Sequence, residues 1–288
     1  MDEKQIIEKT RRRKNRKWGL ITIAVLFIVL MLVCPLISVI YNSLRKGFDF
    51  YLEAIRTKYV LAALKVTVIA AVIAVIVNTF FGLFASWLLT RYSFRGKNIL
   101  STLIDIPFSV SPVVAGLAFI MIFGRLGWAS GFIDSINNAL GTDIKIVFAL
   151  PGVVLATIFV TFPFVSREII PVLNARGTDE EEAAALMGAS GKTIFFRITL
   201  PHIKWALIYG IILCASRALG EFGAVNALSK TRGETFNLPQ EIDALYLAGS
   251  ADSIVASFAA SSILVMIAVI ILILRNILEK RTESALRS

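Results

Sequence analysis

The sequence predicts an all-α integral membrane protein with six transmembrane helices and both termini in the cytoplasm. Composition is the first reason. Of 288 residues, 57% are hydrophobic and 17% charged, with a mean hydropathy of +0.76; a soluble chain is about half apolar and about a quarter charged. Grouping is the second. Trp18–Tyr41, Val66–Thr90, Ile106–Gly124, Ile146–Ser166 and Ser253–Leu274 contain no Asp, Glu, Lys or Arg, and each is near the roughly 20 residues that cross hydrocarbon as a helix. A sixth block, Trp205–Leu228, is interrupted only by Arg217 and Glu221. These runs are continuous rather than alternating, so a barrel of strands is excluded. The third reason is basic charge. Segments 1–17, 91–98, 167–204 and 275–288 hold twenty of the 30 Lys and Arg, against eight in 42–59, 124–145 and 221–253. Cytoplasmic loops carry that kind of excess.

In chain order, 1–17 is a basic cytoplasmic tail. Its net positive charge answers anionic lipid rather than nucleic acid, because an apolar span begins at the next residue. Residues 18–58 form the first span and an outer loop. At 24 uncharged residues the span exceeds a signal core, and no small-residue cleavage site follows, so it is a permanent anchor. The core transmembrane domain is 59–278, followed by a short cytoplasmic tail, 279–288. Lys65, at the outer end of its span, snorkels to head groups. In the third block Pro107 and Pro112 bracket Phe108-Ser109-Val110-Ser111. Each proline removes a backbone donor and breaks the helix, and freed carbonyls are tolerated only where they line protein or a watery cavity. Ser109 and Ser111 therefore mark a candidate pathway wall, with an ordinary packed kink as the other reading; Asp105 reads as a helix cap. Arg217 and Glu221 are four apart and able to pair. Either Arg217 faces a solute pathway or its gate, with Glu221 orienting it, or the pair only locks helices together. Gly220 and Gly223 permit a bend beside them. Residues 229–252, with Pro239, Glu241 and Asp243, form the longest outer connection. That stretch is a candidate docking surface for a soluble partner, or else a solvated loop. Cys34 and Cys214 lie in separate spans as packing residues, and a lone histidine, His202, excludes an imidazole-built metal cluster.

The connection 178–201 contains Gly188-Ala-Ser-Gly-Lys-Thr193, which looks like a phosphate loop. It fails as one. Five residues before Gly191 stands Leu186 rather than glycine, and Glu180–Met187 are helix formers, not a strand. The segment instead spells two short helices about a corner. Thr178 to Glu181 is a capping box, the acids at 179–182 suit a helix start, and Gly188 supplies a left-handed turn. Ser190 caps a second helix carrying Ile194, Phe195 and Ile198, and Pro201 closes it. By composition this knob meets either a partner or the lipid surface.

Glu182-Ala183-Ala184, Gly188, Ile198, Leu200 and Pro201 match, at every offset, the EAA loop of bacterial ABC importer permeases, which this chain resembles. The stretches "LIDIPFSVSPVVAGL" (103–117), "SREIIPVL" (166–173), "SRALGEFGAVNALS" (216–229) and "TRGETFNLPQEI" (231–242) are similar to permeases of oxyanion importers, above all those for sulfate or thiosulfate; molybdate/tungstate permeases share part of this text. The resemblance implies the type I importer permease fold, with 178–201 as the coupling loop between spans four and five. It implies an extracytoplasmic sulfate-binding protein, two copies of an ABC ATPase subunit and a second homologous permease, all working within membrane lipid. It also implies that this chain is no enzyme and binds no cofactor, ATP and Mg²⁺ being held by the ATPase. A molybdate permease or an ion-coupled carrier are the alternatives; the carrier is opposed by the absence of a repeat and of several intramembrane acids.

Overall fold

The computed structural model describes residues 17–287, and the described residues contain no strand. Residues 1–16, nearly all of the basic tail, lie outside them. Helix α1 runs Lys17–Ser43, α2 Phe48–Arg56, α3 Lys58–Arg91, α4 Lys97–Ser109, α5 Pro112–Phe123 and α6 Ser130–Leu140. Then come α7 (Leu150–Arg176), α8 (Asp179–Leu186), α9 (Gly191–Leu219), α10 (Gly223–Leu228), α11 (Leu238–Leu247) and α12 (Ala251–Arg287). Among the described residues, five helices are long and apolar enough to cross a membrane, or six when the bent pair α4–α5 counts as one.

Two helices absorb a proline by way of a π-turn. In α1, five residues of π-helix, Val29–Val33, precede Pro35; in α9, Phe195–Thr199 precede Pro201. The amides of Cys34 and Leu200 reach back to the Val29 and Phe195 carbonyls, widening the turn where the proline ring would crowd it. The expectation that Pro201 closes a separate helix is therefore corrected: the second helix of the knob continues without a break into the fifth span.

The third span is bent by 111° between α4 and α5. At roughly 1.5 Å per residue neither half alone covers the roughly 30 Å of hydrocarbon. Only one proline makes the break. Pro107 lies inside α4 without terminating it, whereas Pro112 opens α5 and holds the preceding Ser111 extended at ψ 132°. Asp105 is not a cap but an interior residue of α4, 2.9 Å from Arg167 Nε of α7.

The centre of the bundle is the meeting of α3, α7 and α9, where Val165, Ile169, Leu173, Ile203 and Cys214 are buried together. Asn78 pins the three spans. Its amide donates to the Ile158 carbonyl at 3.1 Å and to Thr161 Oγ1 at 2.8 Å, and lies 3.7 Å from the Cys214 sulfur. Such bonds hold spans together where lipid offers no hydrophobic drive between helices. On the flank, α1 packs against α12, yet none of its most apolar stretch is buried. That helix faces lipid or another chain.

Candidate functional site

The cytoplasmic knob is α8, a corner, and the first turns of α9. Gly188 has φ +86°, a conformation that a β-carbon opposes, and it turns the chain between the two helices. Ser190 caps α9 by accepting from the Thr193 amide at 3.3 Å. Thr178 stands at the N-cap of α8, but the expected box does not form: its hydroxyl donates to Glu182 at 2.6 Å and accepts nothing from the helix backbone. Glu181 is drawn away by a stronger partner. Its carboxylate takes Arg91 NH2 at 2.9 Å and the Thr199 hydroxyl at 2.8 Å, with Arg91 Nε 2.8 Å from its second oxygen. Charge-assisted, nearly buried contacts outweigh a neutral amide cap.

Of the residues singled out in the loop, Ala184 is buried, while Glu182, Ala183 and Gly188 are exposed. Ile198, Leu200 and Pro201 lie where the knob joins the fifth span. Ile194, Phe195 and Ile198, the apolar residues that the sequence places along the second helix, are half-buried. The side chains presented outward are Leu186 at 90% exposure, Met187 at 84% and Phe196 at 64%. A corner places its own tip outward, and helical periodicity alone does not report that.

Within the membrane two chain breaks meet. The fifth span ends at Leu219, and α10 starts at Gly223, so Trp205–Leu228 is not one continuous helix. A β-carbon added at Gly223 would lie 3.0 Å from Pro112 Cβ; one at Gly116 would lie 2.6 Å from the Ala224 carbonyl oxygen. The Ser109–Ser111 break and the Gly220–Gly223 break are thereby packed together. Arg217 NH1 stands 2.6 Å from Glu221 Oε2. Glu221 is 1% exposed and also accepts from the Ala224 amide at 2.9 Å, while its carbonyl accepts from Asn237. Ser109, Ser111, Ser216 and Gly220 remain exposed on this chain.

On the outer side, 229–252 is no solvated loop. It contains α11, opened by a capping box of Asn237 and Gln240. Glu241 is fully buried and accepts from Arg232 Nε at 2.8 Å and NH2 at 2.6 Å, so it is corrected from docking candidate to structural clamp. Arg232 also lies over the Tyr59 ring at 4.6 Å, and the hydrogen bond from Glu241 raises its pKa above the ordinary arginine range. The Leu238 amide donates to Thr67 Oγ1 of α3 at 2.7 Å. Asp243 stays exposed and, with Pro239, lines a cavity of about 560 Å³ beside Phe222 and Tyr246.

The family described as the binding-protein-dependent transport system inner membrane component matches residues 78–284. The chain belongs to that family. As an inner-membrane component of such a system it is a multi-pass membrane protein, which agrees with its apolar helices. It is 44% identical to the sulfate transport system permease protein CysW of Escherichia coli (strain K12), over 93% of this chain and 89% of the relative. It is 42% identical to the CysW protein of Synechocystis sp., over 92% and 94% respectively. In shape this inner-membrane component is similar to a chain of a bacterial alginate ABC transporter, solved in complex with an alginate pentasaccharide-bound periplasmic protein. The TM-score is 0.77 at 16% identity, covering 95% of this chain and 97% of that one. The type I importer permease fold is thus shown.

Asn78, Arg91 and Arg232 were missed from sequence. The available signals were faint: Asn78 is the one amide in an otherwise uncharged block, and Arg91 closes that block.

Proposed function

We propose that the chain is the permease subunit of an ATP-binding-cassette importer for sulfate or thiosulfate, moving the anion inward while a separate ATPase hydrolyses ATP. The observation that carries this is the braced knob below the bundle, with Leu186 and Met187 presented at its tip. Large apolar side chains held in water by a rigid corner are the mark of a protein contact. Here that contact is the ATPase, present in two copies, and ATP and Mg²⁺ belong to it. The exposed serines at the meeting of the two helix breaks need a facing wall, which a second homologous permease supplies. Arg217, held by a buried carboxylate, offsets the charge of a passing dianion. The outer segment, rigidified by its Arg232–Glu241 clamp, receives the anion from a sulfate-binding protein. Both named relatives are sulfate permeases, which favours sulfate over molybdate.

The test is purification of this chain from membranes, identification of what accompanies it, and uptake by sealed vesicles loaded with ATP. The expected result is an associated ATPase, a second permease, and ATP-dependent sulfate uptake that excess thiosulfate suppresses more than molybdate does. Sulfate accumulation by this chain alone, or uptake that follows an ion gradient without ATP, overturns the reading.

A further inference from the structure

The cytoplasmic end of α3 grips both helices of the knob. Arg91, in its last turn, holds Glu181 of α8 through two nitrogens, and that same carboxylate accepts from Thr199 of α9. Arg91 NH1 adds a bond to the Leu173 carbonyl of α7 at 3.2 Å. One turn earlier, on the same face of α3, Trp87 meets Phe195 of α9 edge to face at 6.1 Å. The Arg91 and Glu181 side chains are only 10% and 16% exposed. This is therefore not a screened surface pair, whose contribution would be close to nothing. Glu181 sits in the first turn of α8 and Leu186–Met187 at its far end, so the helix has a free tip and a fixed base.

The opposite end of the same rod is fixed as well. Thr67 of α3 accepts from the Leu238 amide, and Tyr59 packs under Arg232 and close to Gly233. Helix α3 spans 34 residues, about 51 Å at about 1.5 Å per residue, well beyond the hydrocarbon thickness. It joins the outer segment to the knob as one unbroken element.

We propose that Arg91 and Glu181 are positioning residues for coupling: they form a strut that makes the knob move as one body with α3, so that displacement at the tip reaches the outer segment. The role rests on the importer reading above. It is distinct from the motif residue Glu182, which is exposed and accepts from the Thr178 hydroxyl. Without the strut, α8 yields at its base and the motion is lost within the knob.

The experiment measures ATP hydrolysed per sulfate imported, in vesicles holding the complete transporter, for wild type, Arg91→Gln, Arg91→Lys and Thr199→Val. Arg91→Gln is expected to keep the ATPase bound and hydrolysing while the ratio rises about tenfold, and Thr199→Val to raise it about twofold, magnitudes in the range of single coupling contacts. Arg91→Lys restores part of the loss, since an ammonium still meets the carboxylate. An unchanged ratio in an intact Arg91→Gln complex overturns the strut, as does an Arg91→Lys variant no better than Arg91→Gln. If Arg91→Gln does not assemble, an unchanged ratio in Thr199→Val overturns it. A wild-type complex that imports no sulfate on ATP refutes the importer reading instead. The strut is then read by hydrogen exchange in the purified chain. Faster exchange across 179–186 in Arg91→Gln supports it, and unchanged exchange overturns it.

Discussion

Gly223 rests tightly against Pro112: a β-carbon there would stand 3.0 Å from the proline ring, which would have to give by a few tenths of an ångström. Gly116 is tighter still, at 2.6 Å from the Ala224 carbonyl oxygen, a backbone atom that cannot rotate away. Gly116→Ala should therefore cost about 1–3 kcal/mol, the usual penalty for overpacking. Gly131, where an added β-carbon meets nothing within 4 Å, provides the control. Thermal unfolding in detergent should show a lowered midpoint for Gly116→Ala and an unchanged one for Gly131→Ala. Equal midpoints would mean that the two breaks are not held together.

Arg217 is 32% exposed while its partner Glu221 is 1% exposed. This asymmetry suits a cation that presents itself to a solute while its counter-ion stays hidden. Arg217→Gln should leave the protein inserted and assembled yet reduce sulfate uptake about tenfold or more, with partial recovery in Arg217→Lys. Loss of the partner of a buried carboxylate also destabilises by about 3–5 kcal/mol in fully buried pairs, and by less here because the arginine is partly solvated. Uptake at the wild-type rate in an assembled Arg217→Gln complex excludes a pathway role.

The spans were legible because a charge-free run of about 20 residues has few structural alternatives. The corner at Gly188 and the cap at Ser190 were legible too, since both follow from local backbone chemistry. Three of the errors share one cause, a partner that the local pattern does not show. Thr178 and Glu181 have the spacing of a capping box, but Arg91, ninety residues earlier, takes the carboxylate. Glu241 reads as a solvent-facing acid until Arg232 and α3 enclose it. Asp105 reads as a cap until Arg167 of another helix claims it. Pro201 and Pro107 show the remaining limit: a proline weakens a helix locally, but a π-turn or packing decides whether the helix stops.

Glu182 and Gly188 stand on the exposed side of the knob and the core fold does not need them. Glu182→Lys and Gly188→Arg should both insert normally. Either should lower the amount of ATPase recovered with the purified chain, or leave it bound while uptake stops. Gly188→Arg adds a local cost of about 1–2 kcal/mol, because its φ of +86° places a β-carbon against the following carbonyl. Wild-type recovery together with wild-type uptake in both variants would remove the knob from the coupling contact.

The Arg232–Glu241 clamp gives the outer segment a defined response to pH. Bonding to Glu241 raises the arginine pKa. A raised cation contributes stability that is fully present below its unfolded value and fades only as pH climbs through the folded one. That window lies above the ordinary arginine range, so at about pH 6–9 the contribution is constant. Hydrogen exchange at 232–247, corrected for the intrinsic pH dependence of exchange, should accordingly show level protection over that range. Arg232→Gln leaves Glu241 buried without its cation and should lower protection by about 1–3 kcal/mol. The change should be centred on α11 and the elements tied to it: α3 through Tyr59 and the bond from Leu238 to Thr67, the Glu221 turn through Asn237, and α12 through Leu238 packed with Ala260 and Ile263. Protection that falls between pH 6 and 9 in the wild type, or that survives Arg232→Gln intact, would show that something other than this ion pair holds the outer segment.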